Sequence, residues 1–223
     1  MLSMVNLIAY QRLISNTADV FLGVNMTQAA FNAANLLGSK PISINRYLDQ
    51  VWPLIQKYDN DILPPFGDNP NPEYIWDQST LDGQRVAFGV GTSGGRVVSS
   101  GTTQAFAVIL VAFADNAMDA KIELFELVNN QYVKVAPQPV GLDELVLIAG
   151  NPNVPTTGLT EIEPYNWQSI RIYSTRFTVA AQDVDRIVKI VASFEVTNYL
   201  VANPPKPNPA GLQFILDVYN ATD

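Results

Sequence analysis

The sequence predicts a mainly β protein, an antiparallel β-sandwich or single jelly roll with an N-terminal helical segment. Three features carry that prediction. From Arg85 onward apolar residues recur at every second position, the period at which a strand buries one face. Gly, Pro, Asn and Asp punctuate the same region at short intervals, as the turns of an all-β domain require. The 223 residues suffice for one sandwich with a proper core and no staples.

Residues 1–24 are apolar and β-leaning without strict alternation, which suits a strand or an extended arm. Residues 25–60 read as helix. In NMTQAAFNAANLLG, Asn25 or Thr27 can cap the start and Gly38 can stop it. A second stripe, Ile44, Tyr47, Leu48, Val51, Ile55 and Tyr58, repeats at helical spacing. Pro53 interrupts it, so a kink or two short helices are expected. Residues 59–84 are rich in Pro, Asp and Asn and read as a long loop anchored by Phe66, Tyr74, Ile75 and Trp76.

The β-body follows as RVAFGVG and then a Ser/Thr/Gly stretch, read as a hairpin over 90–104. Ala105 to Ala114 is apolar on both faces, as a central strand would be. KIELFELV and YVKV flank Asn129-Asn130, a tight-hairpin signal because Asn tolerates positive φ. DELVLIAG is a strand ended by Gly150, and 151–167 is a second Pro/Asn/Gly loop. QSIRIYSTRFTV and DRIVKIVASFEVTN form a pair joined by AAQDV. In the latter, Val188, Ile190, Ala192, Phe194 and Val196 make a core face, and Lys189, Ser193, Glu195 and Thr197 a polar one. Leu212, Phe214, Leu216 and Val218 alternate likewise with Gln213, Asp217 and Tyr219. About eight or nine strands are expected after residue 84. The division is therefore 1–84, arm, helices and Pro-rich loop, and 85–223, sandwich body, packed as one unit.

Function is bounded mostly by what the chain lacks. It has no histidine and no cysteine. Triads and dyads built on them are excluded, as are zinc fingers, iron–sulfur sites and His-ligated haem. No catalytic residue and no cofactor-binding residue is assigned, and no enzyme activity is expected. The one alternative is a carboxylate-based glycoside hydrolase, drawing on Glu123, Glu126, Asp143, Glu144, Glu161, Glu163, Glu195 or Asp217. No cofactor is expected either. The single metal candidate is Ca²⁺ in the oxygen-rich loop of Asp59, Asp61 and Asp68, which lacks the EF-hand pattern. Asp115, Asp119, Asp183 and Asp185 read as turn formers. GVGTSGG lacks the P-loop lysine and opens no helix, so it is not a phosphate site.

The net charge is −8, and Lys40, Arg46, Lys57, Arg171, Arg176, Arg186 and Lys189 are scattered, so direct nucleic-acid binding is not expected. No apolar run reaches transmembrane length, and the start lacks the marks of a signal peptide. Charged residues are only 15%, against roughly 25% in ordinary globular proteins. So weakly charged a surface suits a chain packed against copies of itself.

No motif matches a family residue by residue. In architecture alone, the arm-like N-terminal segment, the Pro/Asn loops and the low-charge β-body resemble a single-jelly-roll viral capsid subunit. The resemblance implies a self-assembling virion shell or vertex protein, partnered by its own copies or other shell proteins, close to a membrane rather than to a genome. Phe66, Tyr74, Ile75 and Trp76, with residues 1–24, are the expected subunit interface. The alternatives are a soluble lectin-like module, with Trp52, Trp76 and Trp167 as a sugar platform, and a pore former inserting the 90–104 hairpin.

Overall fold

A computed structural model describes residues 6–46, 52–56, 66, 70–78, 80–81, 83–142, 147–150, 169–199 and 208–222. The strands are β1 (Asn6–Ile14), β2 (Phe21–Gly23), β3 (Ile42–Ile44), β4 (Tyr74–Trp76), β5 (Arg85–Gly91), β6 (Arg96–Val98) and β7 (Thr102–Asp115). They continue with β8 (Ala117–Val128), β9 (Gln131–Lys134), β10 (Leu147–Ala149), β11 (Arg171–Ala181), β12 (Arg186–Thr197) and β13 (Gly211–Thr222). The helix α1 spans Met26–Asn35.

Two antiparallel sheets result. The β13 sheet runs β11-β7-β13-β4-β3, with β1 also on β13. The β12 sheet runs β10-β8-β12-β5-β2, with β6 also on β12 and β9 on β8. Four pairings nest in sequence: β4 with β13, β5 with β12, β7 with β11, and β8 with β10. A long hairpin rolled upon itself gives that nesting, and it is the winding of a single jelly roll.

Alternation builds the core between the sheets. Val188, Ile190, Ala192, Phe194 and Val196 meet Leu212, Phe214, Leu216 and Val218, as their period predicts. Phe194 and Phe214 stack across the gap with centroids 4.5 Å apart. The apolar run from Ala105 lies in β7, central between β11 and β13. Asn129 and Asn130, with φ of 49° and 64°, make the two-residue turn between Val128 and Gln131. Among the described residues nine strands follow residue 84.

Several expectations need correction. The stripe from Ile44 to Tyr58 is not a second helix among the described residues. Ile44 ends β3, and residues 52–56 are irregular, with Trp52 and Ile55 both turned inward. Tyr47, Leu48, Val51 and Tyr58 lie outside the described residues, as does the 151–167 loop. The Pro/Asn loop hides a strand, β4, too short to show a period.

The 90–104 stretch is not one hairpin. β5 and β6 pair successively with β12, and residues 93–95 bulge out between them. β11 and β12 do not pair with each other; the chain crosses from one sheet to the other between them. Gly38 is not the helix stop, because the left-handed cap falls earlier, on Leu36. Residues on both sides of 84/85 share both sheets: β1 and β4 lie on β13, and β2 lies on β5.

Candidate functional site

The two outer faces of the sandwich are covered in different ways, and the candidate site lies under one of these covers. On the β12 sheet the cover is α1. Asn25 caps its start, its side chain accepting from the Gln28 amide at 2.9 Å. The helix rests on glycines: a Cβ at Gly89 would lie 2.2 Å from the Ala29 carbonyl oxygen, and one at Gly23 2.3 Å from the Ala29 nitrogen. Ala30, Ala33 and Ala34 then reach Phe21, Phe125 and Val191.

The helix C-terminus carries no basic residue of its own. Lys189 supplies the cation from β12, its Nζ donating to the Ala34 carbonyl at 2.8 Å and lying 4.4 Å from the Tyr132 ring centroid. Burial lowers its pKa. Asn35 exchanges two hydrogen bonds with the Tyr132 backbone, at 2.9 and 2.8 Å. The expected polar face of β12 is therefore polar but not solvated: Lys189, Ser193 and Thr197 are buried.

On the β13 sheet the cover is the irregular segment 52–56. Gly211 leaves room for the Trp52 ring, since a Cβ there would lie 2.7 Å from it. Trp52 packs against Tyr74 at 4.6 Å between centroids and joins a cluster with Ile14, Ile55, Phe113 and Ile215. The Trp52 indole N–H donates to Asp115 Oδ2 at 2.7 Å, and the Ile55 amide donates to Gln213 Oε1 at 2.9 Å. The Tyr74 hydroxyl donates to the Pro53 carbonyl, and Arg46 Nε to the Trp52 carbonyl at 2.6 Å.

Asp115 ends β7, directly after the apolar run Ala105 to Ala114, and is fully buried. Its Oδ1 has no hydrogen-bond partner. Burial pushes the carboxyl up to about 7, and the indole hydrogen bond pulls the other way. Burial likewise pushes the Tyr74 phenol well above its ordinary value. Asp115 was expected to be a turn former; the structure instead makes it a buried strand terminus whose titration falls near neutrality in a chain without histidine. The signal available in the sequence was its place directly after AFAVILVAFA.

The expected interface residues are placed as follows. Ile75 and Trp76 are fully buried in the central core and Tyr74 is buried beside Trp52, so this trio packs within its own sandwich. Residues 6–14, within the expected arm, are β1 and pair with β13 from Asn6↔Thr222 to Ile14↔Ile215. Phe66 is half-buried. It stands edge-on to Tyr219 at 5.1 Å and lies 4.7 Å from the Arg12 guanidinium carbon. Beneath it Arg12 and Asp217 form a buried two-pronged ion pair, at 2.6 and 2.8 Å.

Among the described residues the other candidates do not gather into a site. Glu123 is engaged by Lys134, Glu126 by Arg186 and Asp217 by Arg12, and Glu195 lies 3.8 Å from Arg85. Asp143, Glu144, Glu161 and Glu163 lie outside the described residues, as do Trp167 and the Asp59, Asp61 and Asp68 loop. Among the described residues no group of three or more acidic side chains is placed to hold a metal ion. Trp52 and Trp76 are buried and cannot present a sugar platform. No helix among the described residues is long and apolar enough to cross a membrane.

Beyond the 52–56 segment the outer face of the β13 sheet continues as a low-charge surface. Thr178, Ala105, Ala221 and Leu7 form one cross-strand row, and Arg176, Ala107, Tyr219 and Ala9 the next. Ile172, at the β11 edge, is 68% exposed. A cavity of about 530 Å³ opens at the rim, where Leu124, Val135, Val179 and Val184 stand beside the Glu126–Arg186 pair. The chain matches no protein-family model and no curated protein.

Proposed function

We propose that this chain is a self-assembling structural protein, a shell or vertex subunit of jelly-roll type. The observation that carries the reading is the outer face of the β13 sheet. Over its β11 half it presents Ala105, Ala107 and Ile109, with Ile172 exposed at the edge, and no described element lies over it. This low-charge face, apolar along β7 and mixed with Ser174, Arg176 and Thr178 along β11, suits a contact between copies. The 15% charge content supports the same reading, since few charges need to lose water when copies meet. Virion localisation and neighbouring shell proteins belong to this proposal.

Light scattering over a concentration series tests it. The expected result is a concentration-dependent rise in mass that Ile172→Lys abolishes without changing the thermal melt, because the residue is exposed. A strict monomer up to about 1 mM, where an association of about −4 kcal/mol would be half saturated, would contradict it.

The rim cavity favours a second reading, a soluble binding module for a small amphipathic ligand. An apolar wall with one fixed ion pair is the makeup of many small-molecule sites. Saturable binding of an apolar dye, lost in Val184→Asp, would support it.

A further inference from the structure

Asp115 and the 52–56 segment form a device that the assembly reading does not use. The segment lies outside the strands, and its backbone is bonded by the side chains of Arg46, Gln213 and Tyr74. It is therefore held from outside, with no share in the strand ladders. Its anchor, Trp52, supplies the one hydrogen bond to the Asp115 carboxyl. The second carboxyl oxygen is buried without a partner.

We propose that residues 52–56 are a proton-gated strap: they lie on the β13 sheet while Asp115 is neutral, and loss of the Asp115 proton to solvent releases them. A buried carboxylate without a cation must be solvated, and one indole N–H does not replace a hydration shell. The strands cannot give way cheaply, because Asp115 lies opposite Gly211 in the β7–β13 ladder. The strap has no ladder bonds to lose: lifting Trp52 admits water to the carboxylate at the loss of side-chain hydrogen bonds and of the ring's packing in its apolar cluster.

Among the described residues the surrounding elements bring few other ionisable groups. β4 brings Tyr74, whose hydroxyl donates to the strap. Tyr199, after β12, shares the apolar cluster. Arg46, exposed ahead of the strap, acts on Tyr74. β8 brings Ala117, and β13 brings Gly211 and Gln213, none of which titrates. Burial places the carboxyl's titration at about 7, within the range where such a gate would operate. The inference rests on this corner alone and is independent of assembly.

Tryptophan emission and acrylamide quenching of the full chain, titrated from about pH 5 to about pH 9, test it. The expected result is a red shift and greater quenching as pH rises, with a midpoint near 7. Trp52→Phe should lose the change, although Trp76 and Trp167 remain. Asp115→Asn, which keeps an acceptor for the indole and cannot ionise, should hold the low-pH spectrum throughout. A flat wild-type titration would overturn the proposal, as would a change that survives in Trp52→Phe or in Asp115→Asn. If Asp115→Asn does not fold, the wild-type and Trp52→Phe titrations decide alone.

Discussion

The two covers of the sandwich solve one problem by different physics. α1 lies on the β12 sheet through Gly23 and Gly89, where helix and strand backbones come within van der Waals reach. Its ends are satisfied by Asn25, Asn35 and Lys189. The 52–56 segment lies on the β13 sheet through one large ring and a few side-chain hydrogen bonds, one of them to a buried acid with no cation paired to it among the described residues. The first cover rests mainly on shape, with the Lys189 cation at the helix C-terminus. The second rests on the protonation of a single carboxyl. A sheet face can therefore be equally dry under both and yet be held shut under different conditions.

The largest expected effect comes from the core that both covers share. Phe194→Ala removes a fully buried ring stacked on Phe214. It should destabilise the fold by about 3–5 kcal/mol in urea unfolding and weaken both covers together. A loss below about 1 kcal/mol would mean that the ring is not packed as described.

The next effect separates the covers. The folded Asp115 carboxyl titrates at about 7 against an ordinary 3.8, so between these values the folded chain keeps a proton that the unfolded chain has released. Asp115's contribution is fullest below about pH 4, declines as pH rises, and is flat above about 7. The stability of Asp115→Asn relative to wild type should therefore grow across that window by up to a few kcal/mol and then level off. A constant difference would remove Asp115 from the account.

The smallest of the three belongs to the helix cover. Gly89→Ala puts a methyl against the Ala29 carbonyl and should cost about 1–3 kcal/mol through displacement of α1. The pH response of Trp52 should survive this change. If it does not, the covers are coupled and the contrast between them fails.

Much of the fold was legible in the sequence. The alternation in β12 and β13 placed Phe194 and Phe214 correctly, and Asn129-Asn130 marked its turn. The misreadings share a cause. Trp52 and Ile55 are three residues apart and both point inward, which a helix requires but an irregular segment lying on a sheet also allows. Tyr74–Trp76 is too short to display a period. Lys189, Gln213 and Asp217 looked solvated because they alternate with core residues, yet Lys189 and Gln213 are buried beneath the covers and Asp217 is buried in its ion pair with Arg12. Periodicity reports which face a side chain occupies. It cannot report what lies over that face, so the candidate site, a buried acid beneath the 52–56 segment, was not legible.

Hydrogen exchange of the full chain near pH 6 and near pH 9, corrected for intrinsic rates, tests the contrast most directly. The account predicts that the Ile55 amide, bonded to Gln213, loses about tenfold or more of its protection at the higher pH. The α1 amides should keep theirs. Equal loss in both regions, or none in either, would contradict it.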